Sequence, residues 1–218
     1  MKSLYYLNDE ILSLLELKED TVFHKIPKNK VKYFIYEASN IGREEAKKYK
    51  ESTLEDLLKE NGVEVIIEET CPTNRLDIRG EIIFDKKEKK ITIYKNSMEQ
   101  LYKSLNELGF KVSREKVYKI HLAHEFYHFL EFKNKKNTNE LLDKVETIFI
   151  GPIKINSSIL KTREVAAHSF CKELLNLKFH PKLMDYLFLL ETKKINQNDF
   201  KNYITELNNE YLYLNGEE

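Results

Sequence analysis

The sequence predicts an α+β fold, with a small, mainly antiparallel sheet packed among helices and helical additions at both ends. Three observations carry that prediction. Glycine and proline are scarce, at 6 and 4 in 218 residues, so little interrupts a helix. Apolar residues recur at spacings of three and four along most of the chain. Between Val63 and Tyr94 that spacing gives way to short β-branched runs bounded by polar turns.

The elements follow in order. Asn8 to Leu17 has apolar residues at helical spacing and is read as a first helix, with a loop around Pro27 after it. Val31, Phe34, Ile35, Ala38, Ile41 and Ala46 predict a helix over Val31 to Tyr49. Ser52 or Thr53 can cap a helix over Leu54 to Glu60, which Asn61-Gly62 stops. Val63, Val65 and Ile67 then alternate with Glu64, Ile66 and Glu68, the period of a strand. Glu81 to Phe84 and Lys90 to Tyr94 read as an antiparallel hairpin joined by Asp85 to Lys89. Helical spacing resumes from Ser97 to Leu108, with Gly109 as its stop. Ser113 offers an N-cap for a long helix running to about Phe132. The polar run from Asn134 to Asn139 breaks the pattern. A helix is predicted over Leu141 to Ile150, ended by Gly151-Pro152, and a second long one over about Ser158 to Leu177. His180-Pro181 opens a helical tail, broken near Asn196, that reaches about Leu214. There is no internal repeat. The chain reads as one domain over 1–218, with its core at about 31–177 and a helical C-terminal extension over 178–218.

Composition removes several classes of function. The 36 basic and 36 acidic side chains cancel, whereas direct nucleic-acid binding needs a basic surplus on some face. The run Lys86-Lys87-Glu88-Lys89-Lys90 reads as a solvated turn. Cys71 and Cys171 are too few for a disulfide framework or a structural zinc knuckle; Cys171, on a helical apolar stretch, reads as a small buried residue. The N-terminus lacks the apolar run and cleavage site of a signal peptide, and no stretch has the length of a membrane span. A cytoplasmic protein without a membrane partner is the expectation.

The most informative feature is His124-Glu125-Phe126-Tyr127-His128. With 6 His and 28 Glu in the chain, an H-E-x-x-H pattern should arise by chance roughly 0.02 times. Residues four apart on a helix share a face, so both imidazoles can converge on one zinc ion while Glu125 serves as general base. Zinc in a hydrolytic site takes three protein ligands and leaves a fourth position for water, whose pKa it lowers towards ~7. The third ligand must come from elsewhere. The Gly-and-His extension of the metzincins is absent, since Glu131 and Asn134 stand there. Glu131, at i+3 from His128 on the same helix, is too close to be the first choice. Glu164 is better placed on the next long helix, where Ala166 and Ala167 permit close helix contact; Glu140, Glu146, Glu173 and His168 are weaker alternatives. His121 reads as a partly buried polar neighbour of the same face. His168, one turn after Glu164, could hydrogen-bond a ligand or steady a transition state. Tyr127 faces away from the ligands and reads as core.

The segment Ile120-His121-Leu122-Ala123-His124-Glu125-Phe126-Tyr127-His128-Phe129-Leu130 resembles the active-site helix of the ImmA/IrrE family of zinc metallopeptidases. Glu164, Ala167, Phe170, Leu174 and Leu175 are similar to that family's downstream E-x-x-A-x-x-F-x-x-x-L-L helix. The resemblance covers roughly Val31 to Leu177. It implies a zincin-like fold, zinc held by His124, His128 and Glu164, and Glu125 as catalytic base. It also implies a protein substrate, a helix-turn-helix repressor of a mobile element or stress response. The chain departs from the family at His168, where Asp or Asn is usual, and at Asn176-Leu177, which replaces a frequent Met-Pro. It has no helix-turn-helix segment of its own. The competing expectation is a non-catalytic binding module that sequesters a regulator.

Overall fold

A computed structural model describes residues 7–72, 78–85, 88–150 and 153–214. Its helices are α1 (Asp9–Lys18), α2 (Val31–Lys47), α3 (Leu54–Glu60), α4 (Lys95–Glu107), α5 (Arg114–Asn134), α6 (Thr138–Leu141), α7 (Thr162–Leu174), α8 (Lys182–Glu191) and α9 (Gln197–Tyr213). The strands are β1 (Glu64–Glu68), β2 (Gly80–Phe84), β3 (Lys89–Tyr94), β4 (Val145–Ile150) and β5 (Ile153–Ser157). The fold is α+β, as predicted.

Local signals set the element ends. The Thr53 side chain accepts from the Asp56 backbone N–H at 3.1 Å and starts α3. Gly62, at φ 64°, ends it in the left-handed conformation that glycine adopts without steric cost. Ser113 caps α5 by accepting from Lys116 N–H at 3.1 Å, as its position in the sequence predicts.

The first sheet has the order β1-β3-β2. β2 and β3 pair antiparallel, as predicted, but β1 joins β3 in parallel, with Val65 opposite Ile91 and Ile67 opposite Ile93. The central strand is buried from Ile91 to Tyr94, as expected for a strand covered on both faces. At the edge, Val65 and Ile67 are exposed. Their alternation therefore reveals a strand without revealing which face is covered.

The helix predicted over Leu141 to Ile150 is not there. Helix α6 stops at Leu141, and β4 pairs antiparallel with β5 as a separate two-stranded sheet. A short apolar run is ambiguous by period alone, and Val145, Thr147, Ile148 and Ile150 are β-branched, which favours the extended backbone. Thr147 Oγ1 donates to the Ile155 carbonyl at 3.1 Å and reinforces the pairing. The Gly151-Pro152 stop lies outside the described residues. Helix α7 also begins later than the predicted Ser158 and ends earlier than Leu177.

One continuous apolar cluster runs from Ile11 on α1 to Leu207 on α9. Helices α1 and α8 contribute to this cluster together with α2, α5 and α7. Tyr127 and Cys171 are buried, as predicted. No described helix is long and apolar enough to cross a membrane.

Candidate metal centre

Helix α5 runs without interruption from its Ser113 cap to Lys135, whose φ of 51° closes the last turn. His124 and His128 therefore stand one turn apart, and their Nε2 atoms lie 3.2 Å from each other. One turn further on, the buried Glu131 meets the other nitrogen of His128: Nδ1 to Oε2 is 2.8 Å. Glu131 also accepts from the Thr138 N–H at 2.7 Å, the Thr138 hydroxyl at 2.8 Å and Arg163 Nε at 2.9 Å. Burial disfavours its charge, but these bonds, led by that of His128, hold its pKa below the usual carboxylate value. An ionised Glu131 fixes the proton of His128 on Nδ1, leaving the Nε2 lone pair for the site.

The third group arrives on α7. This helix crosses α2 at Gly42, where an added Cβ would lie 2.0 Å from the Ala166 carbonyl oxygen and 3.0 Å from the Phe170 nitrogen. Only glycine permits that approach, with Ala166 as its counterpart. The packed helix carries Glu164 in its first turn. Glu164 Oε2 lies 3.0 Å from His124 Nε2, and Oε1 lies 3.5 Å from His128 Nε2.

These donors fit a zinc ion. Ligands at ~2.0–2.1 Å in tetrahedral arrangement stand roughly 3.3–3.4 Å from one another, close to the 3.2 Å between the two Nε2 atoms and the 3.0 Å from His124 Nε2 to Glu164 Oε2, while the other carboxylate oxygen stands 3.5 Å from His128 Nε2. Two imidazoles and a carboxylate suit zinc in type as well. The electrostatics agree, because the site attracts positive charge. At His128 burial opposes protonation, but the Glu131 and Glu164 carboxylates outweigh it and raise the pKa to about 10. Burial likewise opposes the Glu164 anion, yet the two histidines hold its pKa far below the ordinary range. Without a metal, protons supply the balancing charge.

Glu125 lies beside the histidines on the wall of a cavity of about 300 Å³, which His121, His124, Glu164 and His168 also line. Gly80, at the start of β2, brings the sheet against it; a Cβ there would be 3.4 Å from Glu125 Cγ and 3.0 Å from Ile93 Cδ1. His121 Nδ1 is 3.0 Å from the Val117 carbonyl, and burial together with Arg79 pushes its pKa down to about 3. His168 does not belong to the metal-capable group: its Nε2 faces Glu16 Oε2 at 3.5 Å, and its ring centre is 5.1 Å from that of His124.

The structure brings His121, His124, Glu125, Glu164 and His168 to one cavity, and His128 stands behind its wall with Nε2 3.2 Å from that of His124. The weaker carboxylate alternatives stay away, Glu173 in an ion pair with Lys50 and Glu146 with Lys154. Glu140 does not belong to the metal-capable group. Sequence reasoning misses Glu131 as a partner of His128, although its i+3 spacing is the signal. It also misses Gly42, Glu16, Arg79, Lys161 and Lys182, which no local pattern marks. Comparisons with protein-family models, curated proteins and solved structures find no match.

Proposed function

We propose that this chain is a zinc metallopeptidase, with His124, His128 and Glu164 as metal ligands and Glu125 as general base. The observation that supports this best is the convergence of two imidazole nitrogens and the Glu164 carboxylate, in contacts of 3.0 to 3.5 Å, with the Glu125 carboxylate on the wall of the adjoining cavity. Zinc bound there would supply a polarised carbonyl and a more acidic water. The chain's own residues supply the rest. Glu131 and Arg163 hold the His128 ring in the tautomer that offers Nε2. Glu164 brings a negative charge that offsets the cation. The Glu125 carboxylate takes a proton from water and later delivers it to the leaving amine.

The two sequence segments that resemble the ImmA/IrrE family lie on α5 and α7, the two helices that carry these donors. That resemblance supports a zincin-like fold and a helix-turn-helix repressor as substrate. The test pairs the purified chain with a repressor encoded beside it, in wild type and Glu125→Gln forms. Cleavage by wild type, with zinc retained and cleavage lost in the variant, is expected. Binding of the repressor without cleavage by either protein would favour sequestration and overturn the peptidase reading.

A further inference from the structure

Besides the metal-capable side chains, two lysines from different elements line the cavity. Lys161 precedes α7 and Lys182 opens α8. Lys161 Nζ lies 2.7 Å from Glu16 Oε1 and 3.0 Å from Glu19 Oε2. Lys182 Nζ lies 2.6 Å from Glu16 Oε2 and 2.6 Å from Glu19 Oε1. Two ammonium groups and two carboxylates thus alternate around a square. The carboxylates are not equivalent. Glu16 is 3% exposed and lines the cavity, whereas Glu19 is exposed and does not.

Glu16 alone leaves one positive charge on the lysine pair, and Glu19 balances it from the solvent side. Glu19 sits just past the end of α1 with its side chain 43% exposed, so it is the carboxylate that can turn away into water, while the buried Lys182 keeps its pairing with Glu16. The cavity side is the less solvated place for an anion to meet both lysines. His168 connects the two ends, with Nε2 facing Glu16 at 3.5 Å and its ring beside that of His124. It is 8% exposed, and its Nδ1 has no hydrogen-bond partner. A buried polar atom without a partner calls for an explanation, and His168 lines this cavity.

We propose that Lys161 and Lys182 form an anion subsite of the metal cavity that takes a carboxylate of the substrate, with Glu19 displaced. The carboxylate is either the chain terminus or the side chain of an Asp or Glu, on the residue next to the bond that is cut. This rests on the metallopeptidase reading above. It goes further by assigning a substrate preference to residues outside the metal centre.

The test uses zinc-loaded protein and three hydroxamates, which anchor on zinc and extend into the cavity: succinyl hydroxamate joined to alanine, to alanine amide, or to aspartate α-amide. Calorimetry gives each Kd. The alanine acid binding about tenfold tighter than its amide, about 1.4 kcal/mol, identifies a terminal carboxylate. The same advantage for aspartate α-amide identifies a side-chain carboxylate. Lys161→Met should abolish the advantage with zinc content unchanged. Glu19→Gln, a change at an exposed position, should widen it, which a purely structural clamp would not do. Equal affinity of all three compounds for wild type overturns the subsite. Failure of all three to bind, or of the protein to hold zinc, overturns the metal centre and the subsite together.

Discussion

The metal end of the cavity and its lysine end differ in how their charges are gathered. At the metal end, His124, His128 and Glu131 come from one helix, and Glu164 from the next long helix in the chain. At the lysine end, Glu16 and Glu19 meet Lys161 and Lys182 from elements more than a hundred residues away. Each end couples a buried carboxylate to cationic groups, but only at the metal end do three metal-capable side chains converge. At the lysine end every charge already has a partner within the chain. Under the proposed function, what sets the metal end apart is the convergence of metal-capable side chains and not the burial of charge.

The largest effect expected at the metal end follows from removing a ligand. His128→Ala should lower zinc affinity by more than the ~10–100-fold typical of losing a group behind a ligand, as measured by competition with a chelating dye. A comparable loss from Lys182→Met would erase the distinction between the two ends. Gly42→Ala attacks the scaffold instead. Its Cβ has no room against the Ala166 carbonyl, so the expected loss of stability is about 3 kcal/mol or more, read from urea unfolding. Zinc binding should weaken with it, because α7 carries Glu164.

Much of the metal end is legible in the sequence because helical spacing is a local code. The i, i+4 histidines, the Ser113 cap and the following long helix with Glu164 each stand in a short window. Other parts are not legible, for identifiable reasons. Gly42 matters only through a helix 124 residues later that the sequence does not pair with it. The parallel β1–β3 pairing and the β4–β5 hairpin depend on tertiary partners that a period-two or apolar run leaves open. Glu16 looks like any surface carboxylate of a helix until the lysines of α7 and α8 surround it.

A smaller effect sharpens the comparison at Glu131. Glu131→Gln should cost about 10–100-fold in zinc affinity, because it no longer fixes the proton on His128 Nδ1. Glu16→Gln, equally buried, should leave zinc affinity within a few-fold, since it touches no ligand. Equal losses in the two variants would show that general charge balance, and not orientation of His128, governs the site.

A separate effect is in pH dependence without metal. His128 has a pKa raised from 6.5 to about 10 in the folded chain, so the folded protein holds a proton that the unfolded chain releases between those values. Its contribution to stability is complete below pH 6.5 and fades as pH rises towards about 10. With chelator present, Tm should therefore fall across that range, and His128→Asn should flatten the fall. The lysine end should add nothing there: the carboxylates around Lys182 outweigh its burial and raise its pKa, while His168 and the lysines lower that of Glu16 against the effect of burial. Saturating zinc should reverse the trend, because the ligand form of His128 is neutral.

The most direct measurement is X-ray absorption at the zinc edge of the zinc-loaded protein, compared with Glu164→Ala. Wild type should show two imidazole nitrogens and oxygen ligands at about 2.0–2.1 Å, with no sulfur. The variant should lose the carboxylate contribution and keep both imidazoles. Zinc bound through cysteine sulfur, or a spectrum unchanged by Glu164→Ala, would contradict a metal centre built from α5 and α7.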